Sequence, residues 1–143
     1  MNREIEFRGK AKITGRWLYG DLVRNENGAV AIMPSFSVNS DNECSTNEVD
    51  KNTICEPAGL KDINEVEIYE GDIINACNDR GVIEFDCGVF GINWDYGRCD
   101  NRTTMYGTFG QRHNLRRMDD EIIDRIEIIG NIYDNPELIN KEK

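Results

Sequence analysis

Short apolar runs that end at glycines or turn dipeptides are the feature that most constrains the fold of this chain. Residues 4–8 alternate polar and apolar side chains, the period of a half-buried strand. Residues 17–23 are rich in aromatic and branched side chains, and residues 29–33 follow an Asn-Gly pair that favours a hairpin turn. The sequence therefore predicts an antiparallel β meander over about residues 1–36.

Residues 37–57 differ from this pattern. They are polar, aperiodic and rich in turn-forming residues, which is typical of a surface loop. We predict a long polar loop here, with one short strand near residues 53–55.

Short strand patterns return after residue 58. Gly71 separates two apolar runs and indicates a corner between strands. Residues 79–81 read Asp-Arg-Gly and predict a turn, and the runs 82–85 and 89–94 predict a hairpin. We expect the β-barrel portion of the protein over about residues 58–134.

The small amount of helix that we expect lies in the C-terminal part of the chain. A helical turn is predicted near residues 119–124 and a strand at 125–133. Asn135 and Pro136 are suited to begin a short terminal helix over residues 135–141. At 143 residues the chain fits one domain, and its many short strands predict a mainly β fold, a small barrel or sandwich.

Charge is distributed unevenly along the chain. The formal net charge is −10, yet residues 1–24 carry +3, whereas residues 25–57 and 58–90 carry −5 and −6. The central acidity disfavours extensive binding to a nucleic-acid backbone. A local basic strip at the N-terminal segment stays possible, and contacts between basic and acidic regions of different subunits explain the asymmetry equally well.

Cellular location follows from what the sequence lacks. No apolar run approaches the ~20 residues that a membrane-spanning helix needs, and the first residues contain no signal-peptide core. The cysteines are odd in number and lack zinc or redox spacing, so we expect reduced thiols in a cytoplasm. They are Cys44, Cys55, Cys77, Cys87 and Cys99.

Catalytic motifs are absent from the sequence: it contains no nucleophile elbow, phosphate-binding loop, dinucleotide fingerprint or metalloprotease histidine pair. His113, the single histidine, is expected as a solvated loop residue, although a Cys–His enzyme stays open. We predict no catalytic residue, no metal and no cofactor, with the central acids facing solvent. These acids are Glu65, Glu67, Glu70, Asp72 and Asp79.

The aromatic residues form two groups. Phe7, Trp17, Phe85 and Phe90 have apolar neighbours and are expected in the core. The second group lies near arginines and suits stacking on single-stranded bases or docking of a peptide, although closing the end of the barrel is the preferred interpretation. This candidate interaction surface comprises Trp94, Tyr96, Tyr106, Phe109, Arg112, Arg116 and Arg117.

Five sequence blocks, in order, resemble the YopX family of small phage and prophage proteins. They read REIEFRGK from residue 3, GRWLYGDL from 15, GLKD from 59, IYEGDII from 68 and IGNIYDNPEL from 129. The resemblance implies an SH3-like, mainly β protein of a bacterial host cytoplasm, without catalytic residues to transfer. The chain departs from the family pattern at residues 56–59 and 65–67, which affects any function tied to the loop before Leu60.

Three functions follow as hypotheses. The first is a non-enzymatic phage accessory protein that acts as an interaction module, as a homo-oligomer and with a phage or host protein as a further possible partner. The alternative is a nucleic-acid-binding small β-barrel, which the net charge of −10 disfavours. The third is an enzyme that uses His113 with a thiol or the central acids.

Overall fold

The computed structural model describes residues 5–34, 47–76, 79–86, 88–93, 103–104, 107–108, 112–114 and 125–139. The chain divides into two compact units, Met1–Pro57 and Ala58–Lys143. Strands dominate both units, which confirms the mainly β fold class. A single domain over residues 1–143 stays a prediction.

The N-terminal unit contains the predicted meander. Strands β1 (Phe7–Lys10), β2 (Trp17–Arg24) and β3 (Val30–Met33) form an antiparallel sheet in the order β1-β2-β3. Lys10 pairs with Trp17 at one end of the β1–β2 ladder. The turn signals of the sequence thus give the correct strand order, because each hairpin is a local structure.

The turn between β2 and β3 depends on the side chain of Asn25. Its Oδ1 accepts hydrogen bonds from the backbone N–H groups of Asn27, at 3.0 Å, and Ala29, at 2.9 Å. Gly28 supplies the positive φ of 81° that residues with a Cβ rarely adopt. The predicted Asn-Gly turn is confirmed.

One face of this sheet buries the first core. Gly20 lies so close to β3 that a Cβ there would be 2.1 Å from the carbonyl oxygen of Met33. Only glycine fits this close approach of β2 to β3. The core contains buried Val30, Ile32 and Val49, against which Phe7, Leu18, Leu22 and Ile54 pack.

Residues 47–55 cover both edges of the three-stranded sheet. Isolated bridges join Ala31 to Glu48, Ala11 to Val49 and Arg8 to Cys55. A single 3₁₀ turn, Lys51–Thr53, lies between the last two of these bridges. Both edge strands are therefore hydrogen-bonded to residues of the same chain. Their backbone groups are less available to pair with a strand of another molecule.

Hydrogen bonds hold the described part of the predicted polar loop, residues 47–57, in place. Asp50 accepts a hydrogen bond from the backbone N–H of Asn52 at 3.0 Å, and the hydroxyl of Thr53 accepts one from the backbone N–H of Lys10 at 2.9 Å. Residues 47–57 are thus hydrogen-bonded structure despite their polar composition, whereas residues 37–46 lie outside the described residues.

The described residues of the C-terminal unit form three further sheets. Two are two-stranded and pair β4 with β5 and β9 with β10, and the third has five strands in the order β11-β8-β7-β6-β12. The strands are β4 (Pro57–Lys61), β5 (Glu67–Tyr69), β6 (Asp72–Ala76), β7 (Asp79–Asp86), β8 (Val89–Asn93), β9 (Thr103–Thr104), β10 (Gly107–Thr108), β11 (Arg112–Asn114) and β12 (Glu127–Asn131).

The predicted hairpin of residues 82–85 and 89–94 corresponds to β7 and β8, which pair Phe85 with Phe90. The predicted turn at residues 79–81 is wrong, because Gly81 lies within β7 and pairs with Ile74 of β6. Pairing of residues 79–81 with β6 outweighs the local preference of Asp-Arg-Gly for a turn. The second core lies on this sheet and comprises Ile68, Ile74, Ala76, Ile83, Ile92 and Ile126, with Ala58, Leu60, Phe90 and Ile128 packed against it.

The predicted small barrel is wrong for the part of the chain that the structure describes, where no sheet closes on itself. The outer strands of the five-stranded sheet, β11 and β12, pair with β8 and β6 and not with each other. Closure needs a continuous ladder around the whole sheet, and these strands are divided among separate sheets. An SH3-like arrangement stays a prediction.

The predicted strand at residues 125–133 corresponds to β12. In the described part of the predicted terminal helix of residues 135–141 there is one 3₁₀ turn, Pro136–Leu138, which follows Asn135 as expected; residues 140–141 lie outside the described residues. Asn135 makes no side-chain capping bond to this turn, which helps to explain why the helix is short. Residues 119–124 lie outside the described residues. Across the described segments, no helix has the length and apolar character to cross a membrane.

Candidate interaction surface

A basic hairpin, residues 7–20, stands out in the N-terminal unit. It contains four cationic residues and no aspartate or glutamate, in a chain whose net charge is −10. It consists of β1, the connecting loop and the first half of β2. The cations are Arg8, Lys10, Lys12 and Arg16.

Strand alternation determines which side chains share a face of this hairpin. Phe7 on β1 and Leu18 on β2 pack against the first core. Because side chains alternate between the two faces along a strand, their neighbours in each strand lie on the opposite face. Arg8 pairs with Tyr19, and Lys10 pairs with Trp17. The face opposite the core therefore carries Arg8 and Lys10 beside Trp17 and Tyr19. On this face Arg8 is buried, at 6% exposure, whereas Tyr19 is exposed.

The indole of Trp17 is in contact with both cations of this face. The guanidinium carbon of Arg8 lies 4.7 Å from the ring centroid, and the Lys10 ammonium lies 5.5 Å from it. Both distances are within the range of cation–π attraction, which contributes about 0.5–2 kcal/mol per contact. Trp17, predicted for the core, instead lies half-buried on the face opposite the core.

Exposure increases from Trp17 toward the ends of the hairpin. Tyr19 is 44% exposed, and Ile13 in the connecting loop is 70% exposed. Lys12 forms an exposed ion pair with Glu48 at 3.0 Å. Asp21, also exposed, follows the hairpin on β2. The surface thus offers aromatic and cationic groups, with carboxylates at its border.

The surface predicted from the sequence lies almost entirely outside the described residues and stays a prediction. Arg112 lies on β11, where it pairs with Asn93. The remaining six residues lie outside the described part of the chain: Trp94, Tyr96, Tyr106, Phe109, Arg116 and Arg117.

Cys55 and His113 are the described members of the Cys–His hypothesis. Cys55 is fully buried, and its thiol donates a hydrogen bond to the carbonyl of Thr53 at 3.1 Å. His113 lies on β11, opposite Ile92. The Cys55 thiol therefore serves the packing of the N-terminal unit, and the other four cysteines lie outside the described residues.

The central acids do not all face solvent as expected. Asp72 is 1% exposed, and its Oδ2 accepts a hydrogen bond from the backbone N–H of Tyr69 at 2.8 Å. Glu65 is exposed in a turn, with a φ of 63°. Among the residues described, no three histidine, cysteine or acidic side chains gather as metal ligands would.

Asp62, the acid of the GLKD block, is also buried. Its Oδ1 accepts hydrogen bonds from the backbone N–H groups of Asn64, at 2.9 Å, and Val66, at 3.0 Å. Its Oδ2 accepts one from the backbone N–H of Ile128 at 3.1 Å. This carboxylate ties the β4–β5 turn to strand β12.

Gly71, in the IYEGDII block, forms the corner between β5 and β6 with a φ of 85°. Its N–H donates to the carbonyl of Ile83 at 2.8 Å, and its own carbonyl accepts from the N–H of Ile132 at 2.9 Å. Two of the sequence blocks thus meet at this corner through backbone hydrogen bonds.

The asparagines of the C-terminal block fold that segment onto itself. Asn131 Oδ1 accepts hydrogen bonds from the backbone N–H groups of Tyr133, at 3.0 Å, and Asp134, at 2.9 Å. Asn135 Oδ1 lies where a Cβ at Gly130 would approach to 2.5 Å. The polar groups of this block are therefore used in turn formation.

Sequence analysis left a basic strip open at the N-terminal segment but did not join it to Trp17 and Tyr19 as one surface. Trp17 was placed in the core because its neighbours are apolar, and the strand register that moves it to the other face is not local information. The acid-free stretch of residues 7–20 and the charge of +3 over residues 1–24 were the signal that could have identified it.

Comparison with known proteins agrees with the fold. The model of the YopX protein family matches residues 6–140. The crystal structure of protein EF1440 from Enterococcus faecalis is similar over 96% of this chain and 99% of that chain, with a TM-score of 0.54 and 20% sequence identity. Identity this low indicates a shared fold alone. No curated protein matches the chain.

Proposed function

Because the chain belongs to the YopX protein family, we propose that it is a non-enzymatic accessory protein of a phage or prophage. It acts as an interaction module in the cytoplasm of the bacterial host, and the basic hairpin is its contact surface. The observation that carries this proposal is the pair of aromatic rings, Trp17 and the exposed Tyr19, beside the cations Arg8 and Lys10 on the face opposite the first core.

The residues of the family blocks support a non-enzymatic role through what they do in the fold. Asp62 and Asp72 are buried carboxylates that accept backbone hydrogen bonds. Asn131 and Asn135 hold a turn. These hydrogen bonds stabilise the sheets, because a buried polar group that loses its partner costs about 1–3 kcal/mol.

Site-specific crosslinking tests the contact surface. A photoreactive benzophenone amino acid replaces Tyr19 in one variant and, as control, Ile63 in the other unit, which is 49% exposed. After irradiation in host cells, we expect a discrete covalent adduct at position 19 and none at position 63. Adducts at both positions, or at neither, would contradict the proposal.

Self-association is a second candidate function, favoured by the separation of charge. Residues 1–24 carry +3 and residues 58–90 carry −6, so the basic segment of one copy attracts the acidic segment of another. Pairing through the edges of the N-terminal sheet is not part of this proposal, because residues 47–55 cover them.

Light scattering at two salt concentrations tests self-association. Screening shortens electrostatic attraction to about 3 Å at 1 M salt. We therefore expect a mass above the 16.4 kDa of one chain at low salt, which falls toward that value at high salt. A mass of one chain at both concentrations refutes it.

A further inference from the structure

From the geometry of the basic hairpin we infer that this surface binds single-stranded nucleic acid. The inference rests on the proposed interaction role and names its partner. It depends on three features of residues 7–20: the placement of aromatic rings, the placement of cations, and the absence of acidic residues from the stretch.

The aromatic rings have the spacing of a stacking platform. Trp17 and Tyr19 lie on the same face of β2, two residues apart, which separates them by about 7 Å along the strand. Unstacked bases bind to such rings through their π faces, which every base has, so that binding needs no particular sequence. Tyr19 is 44% exposed and is the more accessible of the two rings.

Cations lie beside these rings, where a phosphate backbone would run. Lys10 pairs with Trp17, and Arg16 directly precedes it in the chain. The Lys12 ammonium forms an ion pair with the Glu48 carboxylate, with 3.0 Å between Nζ and Oε1. It therefore contributes less to the binding of phosphate. Arg8 is buried against Trp17 and therefore orients the ring.

Chemistry favours a single strand over other anionic partners. Duplex DNA keeps its bases stacked, so the rings would have no base faces to contact. Its charge density also attracts broad basic surfaces, whereas this hairpin is a small patch in a chain of charge −10. A run of acidic side chains supplies charge without aromatic rings that could stack on Tyr19.

Fluorescence anisotropy with a labelled 15-nucleotide oligodeoxythymidine tests the inference on the full chain. We expect a Kd between about 1 and 100 µM at 100 mM salt, the range of non-specific binding. Lys10, Arg16 and, in part, Lys12 predict that the logarithm of the binding constant falls with the logarithm of salt with a slope of about −1.4 to −2. A 15-base-pair duplex and polyglutamate serve as competing anions.

Variants separate stacking from charge. Tyr19→Ala should weaken binding about 10-fold, whereas Tyr19→Phe, which keeps the ring, should stay within about 2-fold of the parent. Arg16→Gln should reduce the steepness of the salt slope by about 0.7. Lys61→Gln removes an exposed cation from the other unit and should change neither quantity. Circular dichroism checks that each variant is folded.

Each contrary result overturns the inference in a distinct way. Absence of binding at 100 µM, or Tyr19→Ala binding as tightly as the parent, excludes a stacking platform. Duplex or polyglutamate binding as tightly as the single strand reduces the surface to a general anion site. A crosslink at position 19 to a protein, without oligonucleotide binding, overturns this inference and retains the interaction role. Failure of both experiments overturns both.

Discussion

Replacement of Asp62 by asparagine tests whether the acid of the GLKD block is structural. In the protein its two oxygens accept three backbone hydrogen bonds, from Asn64, Val66 and Ile128. Asparagine has the same shape but one oxygen only, so its amide nitrogen must face at least one of these N–H groups. We therefore expect Asp62→Asn to destabilise the protein.

The magnitude follows from the hydrogen bonds that are lost. One buried N–H without a partner costs about 1–3 kcal/mol, and the remaining bonds lose the strength that the charge gave them. Lower cost of burying a neutral side chain offsets part of this loss. The expected decrease in the free energy of unfolding is about 2 kcal/mol for Asp62→Asn and about 4 kcal/mol for Asp62→Ala.

Urea unfolding monitored by circular dichroism measures this effect. With an m-value of about 2 kcal/mol/M, the midpoint for Asp62→Asn should fall by about 1 M. Glu65→Gln makes the same chemical change at an exposed position three residues away, and should shift the free energy by less than about 0.5 kcal/mol. Equal midpoints for the two variants would refute the structural role of Asp62.

Three more substitutions test turns and close contacts by the same unfolding assay. Gly20→Ala should lower the free energy of unfolding by more than about 3 kcal/mol, since its Cβ would lie 2.1 Å from the Met33 carbonyl oxygen. A decrease below about 1 kcal/mol would contradict this close approach of β2 to β3. Asn25→Ala removes two side-chain hydrogen bonds and should cost about 1–2 kcal/mol, whereas Asn25→Asp keeps both acceptor interactions and should cost less. Gly130→Ala should cost about 2 kcal/mol, and less than about 1 kcal/mol in an Asn135→Gly background; additive effects would mean that the two residues do not interfere.

The parts of the fold that were predicted correctly depend on short stretches of chain. Asn25 and Gly28 specify their turn with contacts that span at most four residues. Gly71 marks the corner between β5 and β6 for a similar reason, because its positive φ is needed at that point. Local propensity and local hydrogen bonding are sufficient for such elements.

Prediction failed where pairing joins distant residues. The bond from the Lys10 N–H to Thr53 spans 43 residues, and nothing in the polar composition of residues 47–55 indicates that they meet both edges of the first sheet. Gly81 has the neighbours of a turn but lies within β7, where it pairs with Ile74 of β6. The barrel was wrong for the same reason, since closure depends on which edges meet.

The candidate surface could not be predicted because it depends on the register of the strands. Trp17 and Phe85 have apolar neighbours in the chain and were both assigned to the core, but Trp17 lies beside Arg8 and Lys10 and Phe85 is 47% exposed. A shift of one residue moves a strand side chain to the other face. Sequence composition therefore located the basic segment, and only the pairing of β1 with β2 revealed which rings accompany its cations.

A ¹H–¹⁵N correlation spectrum recorded during titration with oligodeoxythymidine tests the central claim most directly. The chain has two tryptophans, Trp17 and Trp94, so it gives two indole N–H signals, which Trp17→Phe assigns. If the basic hairpin is the contact surface, the Trp17 indole and the backbone signals of Arg16 and Tyr19 shift, and the Trp94 indole does not. Shifts at Trp94 with an unchanged Trp17 would contradict the account and return the interaction to the surface that the sequence first indicated.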